Sequence, residues 1–153
     1  MLNMTFRMLI VLIAIASVPK LSDAARCGFV SISDLDFGEY DVFGGPLDSA
    51  FTITYRCTQV RDNDRIEMEI RRSRGSFDPR QMRFRGNRLD YNVYLDAARS
   101  IVWGNGRNGT GSYGPVQPPG NTNVSIQAYG RIFSGQDVTM GDYEDTLRIA
   151  IRY

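Results

Sequence analysis

Thr146-Leu147-Arg148-Ile149-Ala150-Ile151-Arg152-Tyr153, the last eight residues of the chain, is the clearest strand in the sequence. Leu147, Ile149, Ile151 and Tyr153 share one face. Arg148 and Arg152 share the other, with Ala150 between them. Period-two alternation of this kind marks a strand with one buried side. No segment follows to flank it. The expectation is that a domain closing on such a strand lacks a neighbour along that edge and takes one from a partner.

Similar patterns recur upstream. Phe29-Val30-Ser31-Ile32 and Leu35-Asp36-Phe37-Gly38 are strand-like runs, with Ser33-Asp34 as a bulge or kink between them. Phe51, Ile53, Tyr55 and Cys57 alternate with Thr52, Thr54 and Arg56. Ile66, Met68 and Ile70 alternate with Glu67 and Glu69. Leu89, Tyr91, Val93 and Leu95 alternate with polar residues and Tyr94. Ser100 to Trp103 and Val124 to Ala128 are shorter apolar runs. Turn formers separate them: Gly44-Gly45-Pro46, Arg61-Asp62-Asn63-Asp64, Gly86-Asn87 and Gly104-Asn105-Gly106. Pro115 to Gly120 reads as a surface loop. Past the N-terminal segment no helical pattern exceeds two turns. About seven short strands at this spacing predict an all-β sandwich.

The first two dozen residues read as an export signal. Arg7 precedes the apolar run Met8 to Val18, which is too short to span a bilayer, and Ser22-Asp23-Ala24 places small residues at −3 and −1. Cleavage is expected after Ala24, with Ala25 the alternative; an uncleaved anchor is the competing reading. The domains are therefore 1–24, the signal, and 25–153, one β-domain. Beyond the signal every basic residue is Arg, and basic and acidic residues balance. No basic field argues for nucleic acid. The arginines read as a solvated sheet face rather than as stacking or pairing groups. Cys27 and Cys57 are the two cysteines. In an exported chain an even pair predicts a disulfide, with two free thiols the alternative.

Catalytic chemistry finds little here. The chain has no histidine, which removes Ser–His and Cys–His nucleophiles and the commonest metal ligand. Two cysteines alone cannot make a zinc site. Glu67 and Glu69 share a strand face and read as solvated rather than as an acid/base pair. Gly104-Asn105-Gly106-Arg107-Asn108-Gly109 matches a dinucleotide fingerprint by letter, but Thr110-Gly111-Ser112-Tyr113-Gly114-Pro115 cannot open the helix that motif needs. No catalytic residue, metal or cofactor is expected, and the chain is read as not an enzyme. Tyr55, Tyr91 and Trp103 read as core aromatics. The competing reading is a binding loop carrying Trp103, Asn105, Arg107 and Tyr113.

Four segments in order resemble the spore coat protein U family, which includes subunits of archaic (Csu-type) chaperone–usher pili. They are Cys27-Gly28-Phe29 with Leu35-Asp36-Phe37-Gly38-Glu39-Tyr40; Tyr55-Arg56-Cys57-Thr58; Leu89 to Arg99 leading to Trp103-Gly104-Asn105-Gly106; and Tyr129-Gly130-Arg131-Ile132, Gln136, then Gly141 to Thr146. The resemblance implies an immunoglobulin-like β-sandwich without its last strand. Its groove would be capped by a periplasmic chaperone, passed to an outer-membrane usher and filled by the N-terminal extension of another pilus or coat subunit, by β-strand addition. It places the acceptor edge at Leu147, Ile149, Ile151 and Tyr153, with the chaperone holding the carboxylate of Tyr153. The implied product is a secreted structural subunit that passes through the periplasm to the cell surface, as part of a pilus or a coat; a tip adhesin recognising a surface or glycan is the alternative. If cleavage follows Ala24, only Ala25 and Arg26 precede Cys27. Two residues reach under roughly 7 Å, so the subunit is expected to accept a strand without donating one.

Overall fold

The computed structural model describes residues 25–73 and 76–153. The export signal expected at 1–24, with its cleavage point, lies outside them. Eight strands form: β1 Arg26–Ile32, β2 Leu47–Thr58, β3 Ile66–Ile70, β4 Arg80–Phe84, β5 Asn87–Tyr94, β6 Tyr113–Val116, β7 Asn123–Ile132 and β8 Ile149–Arg152. One sheet has the order β1-β2-β7-β5-β4 and the other β6-β3-β8. All pairings between named strands are antiparallel. The fold is an all-β sandwich.

The longest strands follow the alternation directly. Along β2, Phe51, Ile53, Tyr55 and Cys57 are buried while Thr52 and Arg56 are exposed. β2 pairs with β7 over ten residues, Leu47 with Ile132 through Arg56 with Asn123, and Ala128 and Ile132 turn inward beside it. From the second sheet Ile66, Met68 and Ile70 close the core, all fully buried. Trp103 is fully buried as well, and its Nε1–H donates to the carbonyl of Met68 at 3.0 Å. That bond satisfies the one polar atom of an otherwise apolar side chain. Cys27 and Cys57 are joined in a disulfide directly across the β1–β2 pair.

Two strands escape the sequence reading. β4 places Arg80, Met82 and Phe84 at inward positions, and an arginine at such a position hides the apolar period. β6 contains Gly114 and Pro115, both strand breakers by residue type. Two expected strands are absent. Ser100 to Trp103 instead folds back along the end of β5, with Leu95 N–H donating to Ile101 and Trp103 N–H to Val93. Leu35 to Gly38 leaves the sheet and crosses the inner face of β7.

The final strand is shorter than the expected Thr146–Tyr153. Its partner β3 ends at Ile70, and Arg71 N–H makes one more bond, to the carbonyl of Arg148 at 2.8 Å. Upstream, Glu144 exchanges two backbone bonds with Arg83 on β4. Residues 145–147 therefore cross between the open edges of the two sheets.

Gly130 is where the crossing at Leu35 to Gly38 is seated. A Cβ there would meet Phe37 at 2.7 Å and Leu35 at 2.9 Å, so the close approach requires a residue without one. Gly130→Val is expected to push both side chains off the sheet and to lower stability by about 1–3 kcal/mol, measured by denaturant unfolding. An unchanged midpoint would show that this segment does not pack as described.

Candidate functional site

Ile149 of β8 lines a groove of about 620 Å³ between the two sheets. Its floor is the inner face of the five-stranded sheet: Phe51, Met82 and Tyr91, all buried. One wall is Phe29 to Phe37, the end of β1 and the crossing after it. The other is Tyr143 to Leu147 with Ile149.

The phase of β8 decides what this groove offers. The Arg71–Arg148 bond continues the pairs Glu69–Ala150 and Glu67–Arg152. In an antiparallel ladder, alternate residues turn their backbone toward the partner. Arg148, Ala150 and Arg152 therefore turn toward β3, and Leu147, Ile149 and Ile151 turn their N–H and C=O groups away from it, with Tyr153 next in phase. No strand among the described residues occupies that side. The side chains of Leu147, Ile149 and Ile151 pack against the core. The edge thus combines inward apolar side chains with outward unpaired backbone groups. Tyr153 differs, being 62% exposed.

The upper end of the groove is held by polar contacts. Tyr91 donates its hydroxyl to Asp145 Oδ2 at 2.6 Å, and Asp145 Oδ1 accepts from the Thr146 amide at 2.8 Å. Close by, Arg80 is fully buried. It donates to the carbonyls of Arg71 at 2.8 Å and Trp103 at 2.9 Å, and lies 5.6 Å from the centre of the Phe77 ring. Burial lowers its pKa, and Tyr91 and Asp145 counter that. Arg80 thereby ties β4 of one sheet to the end of β3 in the other. The expectation of a solvated arginine face fails here, because the guanidinium satisfies carbonyls at the end of a strand.

The remaining sequence expectations are placed as follows. In the loop Trp103, Asn105, Arg107 and Tyr113, Trp103 is sealed in the core, so it does not belong to a binding surface. Tyr113 is half-buried, its ring packed edge-on to Tyr55 at 6.3 Å. Asn105 Oδ1 accepts from the Arg107 amide in the turn, and Arg107 is exposed. Glu69 is not solvated: it is 6% exposed and receives Arg152 Nη2 at 2.6 Å. Glu67 accepts from the Ser112 hydroxyl. The groove floor and the Phe29–Phe37 wall are not among the residues that the sequence singles out. Their inward parity was visible, but their convergence with residues 143–149 was not.

The Spore Coat Protein U domain model matches residues 14–150. Protein U of Myxococcus xanthus is 40% identical over 65 residues, 42% of this chain and 34% of that protein, so the match spans about a third of that relative. A crystal structure of a chaperone–tip adhesion subunit pre-assembly complex, from archaic chaperone–usher Csu pili of Acinetobacter baumannii, matches with a TM-score of 0.56 at 20% identity. The match covers 85% of this chain and 40% of that one. At this identity the likeness is one of fold.

Burial first, then the bond to Asp145, raise the Tyr91 pKa well above its usual value. Burial, then Tyr113, do the same for Tyr55. Unfolded tyrosine loses its proton near pH ~10. Above that pH the folded state holds more protons than the unfolded one, so stability falls as pH rises. The melting temperature is expected to decline from about pH 10 upward, and a Tyr55→Phe/Tyr91→Phe variant to decline less steeply. An equal decline in both proteins would remove these tyrosines as the cause.

Proposed function

The chain belongs to the Spore Coat Protein U domain family, and on that premise we propose that it is a structural subunit of a bacterial pilus or coat whose groove accepts a strand from another protein. One observation carries the reading. The inward-packed, outward-unpaired edge at Leu147, Ile149 and Ile151 borders an apolar groove on a three-stranded sheet that faces a five-stranded one. An extended segment laid there would pair its backbone with β8 and place alternate side chains over Phe51, Met82 and Tyr91. Left uncovered, such an edge is a template for aggregation. A chaperone that caps it in the periplasm, an usher that receives the capped subunit and a neighbouring subunit that replaces the cap fit this requirement. The protein then works at the cell surface after export.

The test is thermal unfolding of the purified oxidised protein, with and without alternating apolar peptides from the N-termini of co-encoded subunits. The melting temperature is expected to rise with peptide concentration, as for any ligand that binds only the folded state. A high-melting protein indifferent to every peptide would overturn the reading.

A second reading, a surface-binding tip, is favoured by a different observation. Phe43 and Met140 are 95% and 94% exposed, and their loops are joined where the Gln136 amide donates to the Tyr40 hydroxyl at 2.8 Å. Replacing both by Ser is expected to reduce adsorption to an apolar surface severalfold, with the melting temperature unchanged. Equal adsorption would remove this reading.

A further inference from the structure

The floor of the groove, Phe51, Met82 and Tyr91, is apolar except for one hydroxyl, that of Tyr91. Tyr91 is 2% exposed, so this hydroxyl needs a partner within the protein. The partner is Asp145, which accepts from it at Oδ2 (2.6 Å) and from the Thr146 amide at Oδ1 (2.8 Å). Asp145 lines the groove too and is half-buried. The chain is held on both sides of it. Glu144 exchanges backbone bonds with Arg83 of the five-stranded sheet, and the Arg148 carbonyl accepts from Arg71 just past the end of β3. Ser73 also lies near Tyr91, but its hydroxyl completes no hydrogen bond there. One carboxylate on the wall thus satisfies the one hydroxyl of the floor.

That bond matters most when the groove is covered. Without Asp145, the Tyr91 hydroxyl would turn to water while the groove is open. A strand laid over the floor takes that water away and offers an apolar side chain in its place. Displacing a water without replacing its hydrogen bonds loses affinity, and a buried hydroxyl left without a partner is costly. Asp145 removes that penalty before the strand arrives. Its effect therefore falls on strand capture, apart from what it adds to the free fold. It contributes there as well, because its charge supports that of buried Arg80.

We propose that Asp145 is a positioning residue of the acceptor groove: by holding the Tyr91 hydroxyl, it fits the floor for an apolar side chain of the incoming strand. This rests on reading the groove as a strand acceptor.

The test is a double-mutant cycle on the purified oxidised protein. A synthetic peptide of alternating Val and Thr is the probe, and its dissociation constant is measured by calorimetry. Asp145→Ala is expected to bind the peptide about tenfold more weakly than the wild type, the scale of one unmet hydroxyl. Adding Tyr91→Phe removes that hydroxyl, and the double variant is expected to recover to within about threefold of the wild type. Melting temperatures without peptide check each fold. The loss of charge beside Arg80 is common to both Asp145 variants, so it cannot produce the recovery. Asp145→Asn, which keeps one acceptor oxygen, is expected to lie between the wild type and Asp145→Ala, and it carries the comparison if the alanine variant does not fold. Wild-type affinity in Asp145→Ala, or a double variant no tighter than Asp145→Ala, would overturn the role of Asp145 and leave the strand-accepting groove standing. Failure of the peptide to bind any of these proteins, the wild type included, would overturn both.

Discussion

Backbone N–H and C=O groups need partners, and a strand in a sheet finds them on two sides. β8 has a partner on one side, β3. Because β8 keeps Arg148, Ala150 and Arg152 in phase with β3, the residues that pack the core are also those whose backbone is left open. A shift of one residue would expose the isoleucines and bury the arginines. The register of β8 against β3 therefore sets both the core packing and the free edge, and the groove exists only in that register.

Several polar groups hold this register in place. Arg152 reaches Glu69, which is itself buried. At the other end Arg80 donates to the carbonyls of Arg71 and Trp103, and Tyr91 fastens Asp145 where the chain leaves β4 for β8. A buried arginine is unfavourable unless its hydrogen bonds are met. Here two carbonyls and an aromatic face do most of that. The result is a frame around a groove whose floor, Phe51, Met82 and Tyr91, is apolar.

The opposite wall is shaped by the crossing at Leu35 and Phe37. Their side chains fill the space that a Cβ on Gly130 would need, and the Phe37 ring meets Tyr91 edge-on at 6.0 Å. The crossing covers part of the core beside the groove. It leaves Phe51, Met82 and Tyr91 as the floor of the remainder.

Much of the fold was legible as alternation. β2, β3, β5 and β7 bury the residues whose parity marked them, since one-sided burial leaves a period of two in the sequence. The same parity placed Leu147, Ile149 and Ile151 on the inner side of the last strand. Pairing partners leave no such mark. The sequence of β4 was obscured by an inward Arg80, whose acceptors come from residues 71 and 103. Trp103 reads from the sequence as a core aromatic with a binding loop as the alternative, and its full burial and the bond from its indole N–H to the Met68 carbonyl place it in the core. The groove is built from residues 29–37, 51, 82, 91 and 143–149, separated widely along the chain. Local periodicity tells which way a side chain points; only the packing of the two sheets decides what it meets there.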